Sequence, residues 1–190
     1  MYQATKLFTA AAALAATSLL SACDGSVRRE GPSAELLEVI RADTQANRRW
    51  VLNQDSLSVY DHVSRRRLRR LELPDWMLAG PLHACAPDMV LDSSGAAIVS
   101  SNVVPVVWRI DPQRFEITRI ALTLDADSDK DIGFTALSFA ADGTLIAAGT
   151  TVGSMWRIDL GSATATKLAS YPSATGICDP AALLSVAARN

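Results

Sequence analysis

Four aspartates alternate in Leu124-Asp125-Ala126-Asp127-Ser128-Asp129-Lys130-Asp131. Carboxylates at this spacing on a loop can converge on one hard cation, which makes Asp125, Asp127, Asp129 and Asp131 the candidate calcium ligands. The run departs from a calcium-binding loop in two places. Lys130 stands where a glycine makes the sharp turn, and Ala136 stands where a bidentate glutamate closes the shell. The competing reading is a solvated acidic turn, which leaves the chain without a cofactor.

A second cluster is basic. Ser64 to Arg70 reads SRRRLRR and holds Arg65, Arg66, Arg67, Arg69 and Arg70. Beside a membrane anchor these side chains could press on anionic headgroups, or they could bind an acidic partner. The alternative is an outer strand with Leu68 and Leu71 packed and the arginines in water, since charge on a sheet edge discourages aggregation. His62 and His83 are the only histidines. They assemble no Ser-His-Asp or Cys-His set, no zinc or haem ligation and no Cys-x-x-Cys-His, so no catalytic residue is assigned. No Gly-rich phosphate loop is present. A formal net charge of −2 argues against a strongly basic nucleic-acid binder.

The elements that position these groups begin with the leader. Lys6 and the amino terminus supply a positive end, Leu7 to Leu20 is apolar, and Leu20-Ser21-Ala22-Cys23 closes the run. Such a length suits a signal peptide better than a spanning helix. The closing tetrapeptide resembles the lipobox of bacterial lipoproteins. That resemblance implies a signal peptide over 1–22, lipidation of Cys23 with diacylglycerol and an amino-terminal acyl group such as palmitate, and a periplasm-facing place in the cell envelope. Asp24 resembles the inner-membrane retention signal of enteric bacteria, which leaves inner against outer membrane open. Residues 23–46 read as a lipidated tether, polar and broken at Gly31-Pro32-Ser33, within which Ala34 to Arg41 suits a short helix or a strand equally.

Residues 47–190 carry the main internal signal, a repeat. Val107-Trp108-Arg109-Ile110-Asp111 recurs 48 positions on as Met155-Trp156-Arg157-Ile158-Asp159. The same shift maps Ser94-Gly95 onto Asp142-Gly143, Ile98 onto Ile146, and Ile120 onto Leu168. A weaker third copy places Val59-Tyr60-Asp61 opposite Arg109-Ile110-Asp111, at a shift of 50. The best copy holds four apolar or alternating stretches, Thr135 to Ala140, Leu145 to Gly149, Ser154 to Asp159 and Ala165 to Ser170. Asp142-Gly143 is a hairpin signal, because both residue types tolerate positive φ. Four strands in a repeat of this length match one propeller blade.

The stretch from Gly133 to Leu145 (GFTALSFAADGTL) looks like the inner strand and turn of six- and seven-bladed bacterial propellers of the WD40 and YVTN-like kind. The Trp-Arg-Ile-Asp strands are similar to those of the same group. The fold class is therefore all-β, a propeller-like array of about three four-stranded repeats, with a β-trefoil as the alternative. Trp108 and Trp156 are expected to pack between sheets. The first repeat lacks an evident inner strand, and Cys178 to Val186 repeats only such a strand, so the carboxy-terminal segment could complete the first blade. Three blades fall short of a closed ring; two chains could pair into a six-bladed ring, or the array could stay open. Cys85-Ala86-Pro87 and Cys178-Asp179-Pro180 share a context, and an oxidising compartment favours a Cys85–Cys178 disulfide latching the array. The function expected is a membrane-anchored, non-catalytic scaffold for an envelope protein or a second copy of itself. A propeller enzyme, or an accessory to a quinone- or metal-dependent one, is the alternative.

Overall fold

The repeats fold as successive antiparallel meanders. The computed structural model describes residues 37–79, 85–125, 133–149 and 154–170, all within one compact unit, Ala34–Asn190. The first sheet contains β1 (Glu38–Asp43), β2 (Arg48–Asn53), β3 (Leu57–Asp61) and β4 (Arg67–Leu71), hydrogen-bonded in that order. The second contains β5 (Met89–Leu91), β6 (Ala97–Ser100), β7 (Val106–Ile110) and β8 (Ile117–Ala121). A short strand, β9 (Thr123–Leu124), then pairs in parallel with the outer edge of the third sheet. That sheet is β10 (Phe134–Phe139), β11 (Leu145–Gly149), β12 (Ser154–Asp159) and β13 (Thr164–Ser170). Each meander forms its own sheet, and β5 lies beside both β1 and β10. This is the arrangement of propeller blades joined at their inner strands, and it replaces the trefoil alternative.

Each third-to-fourth strand turn is built alike. Asp61 and Asp159 end β3 and β12 and Asp111 follows β7, and their carboxylates accept the N–H three residues on: Ser64 at 2.6 Å, Arg114 at 2.7 Å and Ser162 at 3.2 Å. Four residues on, Arg65, Phe115 and Ala163 take positive φ of 60°, 59° and 53°. A short acidic side chain folds the chain back by imitating a backbone turn, which is why the repeat keeps aspartate there. The third copy at a shift of 50 is thus a true structural repeat.

The core lies between sheets. Trp50, Leu52, Leu57 and Val59 of the first sheet pack against Met89, Val99, Trp108 and Ile110 of the second. Ile98 and Val107 on the other face of the second sheet pack against Phe134, Leu137 and Trp156 of the third. Trp108 and Trp156 therefore occupy equivalent positions, each facing the preceding sheet, and both are fully buried. At the corresponding place the first sheet has Ser58, on the face turned away from the second sheet. Ser58 and its cross-strand neighbour Val51 are nonetheless buried, at 3% and 6% exposure, so at this place the first blade fills its space with a small polar side chain rather than an indole. The first sheet carries Trp50 instead, on β2 and facing forward.

The three indoles differ in one respect. Trp108 Nε1 donates to the Pro74 carbonyl at 2.8 Å and Trp156 Nε1 donates to Ser154 Oγ at 2.7 Å, whereas Trp50 Nε1 is buried without a partner. An orphaned buried donor costs about 1–3 kcal/mol. Trp50→Phe removes that cost and offsets part of the lost volume, while Trp108→Phe removes a made bond. We expect Trp108→Phe to lower stability by about 1 kcal/mol more than Trp50→Phe. Urea midpoints of the two variants check this; equal losses would remove the distinction.

Two expectations need correction. The first repeat does not lack an inner strand and does not need the carboxy-terminal segment to supply one. Glu38–Asp43 fills that role, pairing with β2 in full register from Glu38↔Asn53 to Asp43↔Arg48. The folded array thus begins inside the stretch read as tether, rather than at residue 47. The reason is chemical: on its inward face this strand presents Val39 and then Arg41, whose charge is met by an aspartate of the next blade, so it does not read as an apolar strand. Second, Leu68 is not packed. A bulge between Val59 and Tyr60 pairs them with Arg69 and Arg67, leaving Leu68 without a cross-strand partner and 36% exposed.

Candidate functional site

The inner strands meet around Asp88, just ahead of β5. Its side chain is 7% exposed and reaches both neighbouring blades. Oδ1 accepts from Arg41 Nη2 of β1 at 2.7 Å and from the Met89 N–H at 2.7 Å. Oδ2 accepts from the Leu137 N–H of β10 at 2.9 Å. The Asp88 backbone is tied to β6, because Ser100 Oγ accepts from its N–H and the Ser100 N–H donates to its carbonyl. One carboxylate therefore joins three blades at their inner edge. Burial pushes the Asp88 carboxyl above its ordinary value, against the pull of the Leu137 N–H, the Arg41 guanidinium and the Met89 N–H.

A cleft of about 300 Å³ opens at this junction, lined by Glu38, Arg41, Pro87, Asp88 and Thr135 among others. Thr135 is 3% exposed and its hydroxyl has no partner. Next to it Gly133 runs against the backbone of Asn102 and Val103; a Cβ there would lie 2.1 Å from the Asn102 carbonyl carbon. The glycine is required by that close approach, which brings the Phe134 N–H onto the Ser101 carbonyl at 2.6 Å. Nothing in the sequence pattern marked Arg41, Asp88 or Thr135. The signal available was a charged residue inside an inner strand, at Arg41, with an acid leading the next, at Asp88.

Of the acidic run, only Asp125 falls among the described residues; Asp127, Asp129 and Asp131 lie outside them. Asp125 extends β9 along the edge of β13. Its N–H donates to the Ala165 carbonyl at 3.1 Å, and its carboxylate accepts from the Lys167 N–H at 2.8 Å. Asp125 thus covers a sheet edge that would otherwise be open. Among the described residues, no group of three or more His, Cys, Asp or Glu side chains could hold a metal.

The arginines divide. Arg70 pairs with Asp55 at 2.8 Å and reaches Ser56 Oγ. Arg69 lies over the Phe115 ring at 6.0 Å and Arg48 over the same ring at 5.5 Å, so both join the first two blades. Arg65, Arg66 and Arg67 are exposed at the β3–β4 turn. Cys85 is 6% exposed and its carbonyl accepts from Asn102 Nδ2 at 3.0 Å. Cys23 and Cys178 lie outside the described residues.

The turn aspartates carry a pH signature. Backbone N–H groups hold the carboxyls of Asp61, Asp111, Asp142 and Asp159 below the ordinary carboxylate value. Burial pushes Asp92 up, but Ser94, the Ala96 N–H and Arg109 bring it net below that value. A carboxyl lowered in the folded state adds stability above its unfolded pKa of about 4, and this is lost as pH falls through the folded value. Asp88 acts in the opposite sense: raised in the folded state, it favours folding in acid and loses that contribution as pH rises through its folded value. Five lowered groups against one raised predict a melting temperature that drops below about pH 4. The triple variant D61N/D111N/D159N keeps side-chain acceptors in the turns and should flatten that acid limb. A wild-type melting temperature constant from about pH 6 to pH 2.5 would refute the assignment.

No protein-family model and no curated protein matches the chain. Solved structures do. The chain is similar to a streptogramin B lyase structure, with a TM-score of 0.54 and 13% identity over 75% of this chain and 42% of that one. It is similar to virginiamycin B lyase from Staphylococcus aureus, with a TM-score of 0.52 and 16% identity over 73% of this chain and 42% of that one. A third is dihydro-heme d1 dehydrogenase NirN in complex with DHE, with a TM-score of 0.52 and 11% identity over 70% of this chain and 28% of that one. The chain thus spans less than half the length of each, and at these identities the likeness is one of fold. Virginiamycin B lyase is a β-propeller, and three stacked four-stranded meanders clasped at their inner strands give the present chain a propeller-like all-β fold.

Proposed function

We propose that the chain is a lipid-anchored protein of the bacterial envelope, facing the periplasm, whose propeller-like blades serve as a non-catalytic scaffold for an envelope protein or a second copy of the chain. The observation that carries this reading is the lipobox-like Leu20-Ser21-Ala22-Cys23 placed only 15 positions ahead of the first blade at Glu38. A double or triple acyl anchor holds firmly. A spacer of this length, fully extended, keeps the blades within about 50 Å of the bilayer. The loops that link blade strands lie at the surface and are the usual carriers of binding groups, which supports a binding role. A Cys85–Cys178 latch belongs to the same proposal; Cys85 is buried, at 6% exposure.

Expression of the full chain and of Cys23→Ala in a bacterial host, followed by fractionation and intact-mass measurement, tests the anchor. The wild type should sediment with membranes and carry acyl mass, and Cys23→Ala should lack that mass. Wild-type chain without acyl mass would overturn the anchor. Cross-linking of the extracted protein tests the scaffold: a dimer or a captured envelope protein supports it, and an isolated monomer counts against it.

A further inference from the structure

We propose that the β3–β4 turn of the first blade, with Val63 at its tip and Arg65, Arg66 and Arg67 beside it, is a contact site for an anionic lipid surface. The proposal rests on the lipid-anchored reading and adds which face of the array meets the bilayer.

Val63 is 79% exposed, the most exposed of the large apolar side chains among the described residues. It is held at the tip, because the Ser64 N–H is bound by the Asp61 carboxylate and the Arg65 N–H donates to the Asp61 carbonyl at 3.0 Å. The apolar tip is thus presented by a fixed turn rather than a loose loop. Arg65, Arg66 and Arg67 follow the valine in sequence, after Ser64, and are all exposed. These three take no part in the ion pairs formed among the described residues; Arg41, Arg70, Arg109, Arg114 and Arg119 do. Leu68, left unpaired by the bulge, adds a partly exposed apolar group on β4 just past the three arginines.

An acidic protein surface would satisfy the arginines but not the valine. A bilayer interface takes both, with guanidinium groups on phosphates and small apolar groups at the acyl boundary. The corresponding turns of the other blades lack this pairing. They carry Pro112-Gln113-Arg114 and Leu160-Gly161-Ser162, with a single arginine between them. The site is therefore specific to the first blade, the one that follows Cys23 most closely in the sequence.

The full chain is reconstituted into vesicles of phosphatidylcholine alone and of phosphatidylcholine with about a third phosphatidylglycerol, and hydrogen exchange of 62–68 is followed by mass spectrometry. On the anionic vesicles we expect exchange slowed about tenfold or more, since each engaged arginine contributes about fivefold. On neutral vesicles, and in about 1 M salt, the slowing should vanish. R65E/R66E/R67E and Val63→Asp should each abolish it; the salt arm needs no variant and stands if one fails to fold. Equal exchange on both vesicles overturns the proposal. So does slowing by an acidic polypeptide in solution without slowing on anionic vesicles, which would assign the turn to a protein partner. If intact mass shows no acyl group yet exchange slows on anionic vesicles, the anchor fails and the contact stands.

Discussion

Asp88→Ala should destabilise the chain by about 3 kcal/mol, measured as a shift of the urea midpoint at unchanged slope. The substitution removes three bonds at once. It strands the buried N–H groups of Leu137 and Met89 and leaves Arg41 without its partner. Breaking a buried ion pair costs about 3–5 kcal/mol. Arg41 is 33% exposed and rehydrates, which places the expected loss near the lower end. Asp88→Asn keeps one acceptor oxygen and the shape, and should lose about half as much. Against a total domain stability of about 5–15 kcal/mol, the alanine variant approaches the point where the blades separate. A loss below about 0.5 kcal/mol would mean that the carboxylate does not join the blades.

Trp108→Ala should cost about 4 kcal/mol, the usual range for emptying a fully buried aromatic site. The indole fills the space between the first two sheets and donates to the Pro74 carbonyl, so both a cavity and an unmet acceptor result. Trp156→Ala should cost a similar amount between the second and third sheets, because the two residues hold equivalent places. Ser58→Ala, at the same position in the first sheet, should cost under about 1 kcal/mol. A Ser58→Ala loss as large as that of Trp108→Ala would contradict the equivalence of the three copies and the direction in which they stack.

Much of this arrangement was legible in the sequence. The strands of the third blade fall within a residue of the expected stretches, because Asp142-Gly143 and Asp159 with the residues after it fix the turns that bound them. The inward place of Trp108 and Trp156 followed from their recurrence. The first inner strand was not legible as such, since Arg41 occupies an inward position whose partner, Asp88, is 47 residues away. Alternation of apolar residues reports burial against hydrocarbon; it is silent where burial is achieved by a charge pair across two blades. For the same reason the Asp88 junction and the cleft at Thr135 carried no motif. The arginine run was visible, but its division into Arg69 and Arg70, engaged within the fold, and Arg65 to Arg67, open to solvent, depends on a bulge that sequence spacing does not announce.

Amide exchange at Leu137 tests most directly that one buried carboxylate holds adjacent blades together. With its N–H bound to Asp88 Oδ2 in the blade junction, this amide should exchange only through global unfolding, and Asp88→Ala should speed it more than it speeds Ala147 in the middle of the third sheet. Rapid exchange at Leu137 in the native chain, or equal acceleration at both amides in the variant, would contradict the account.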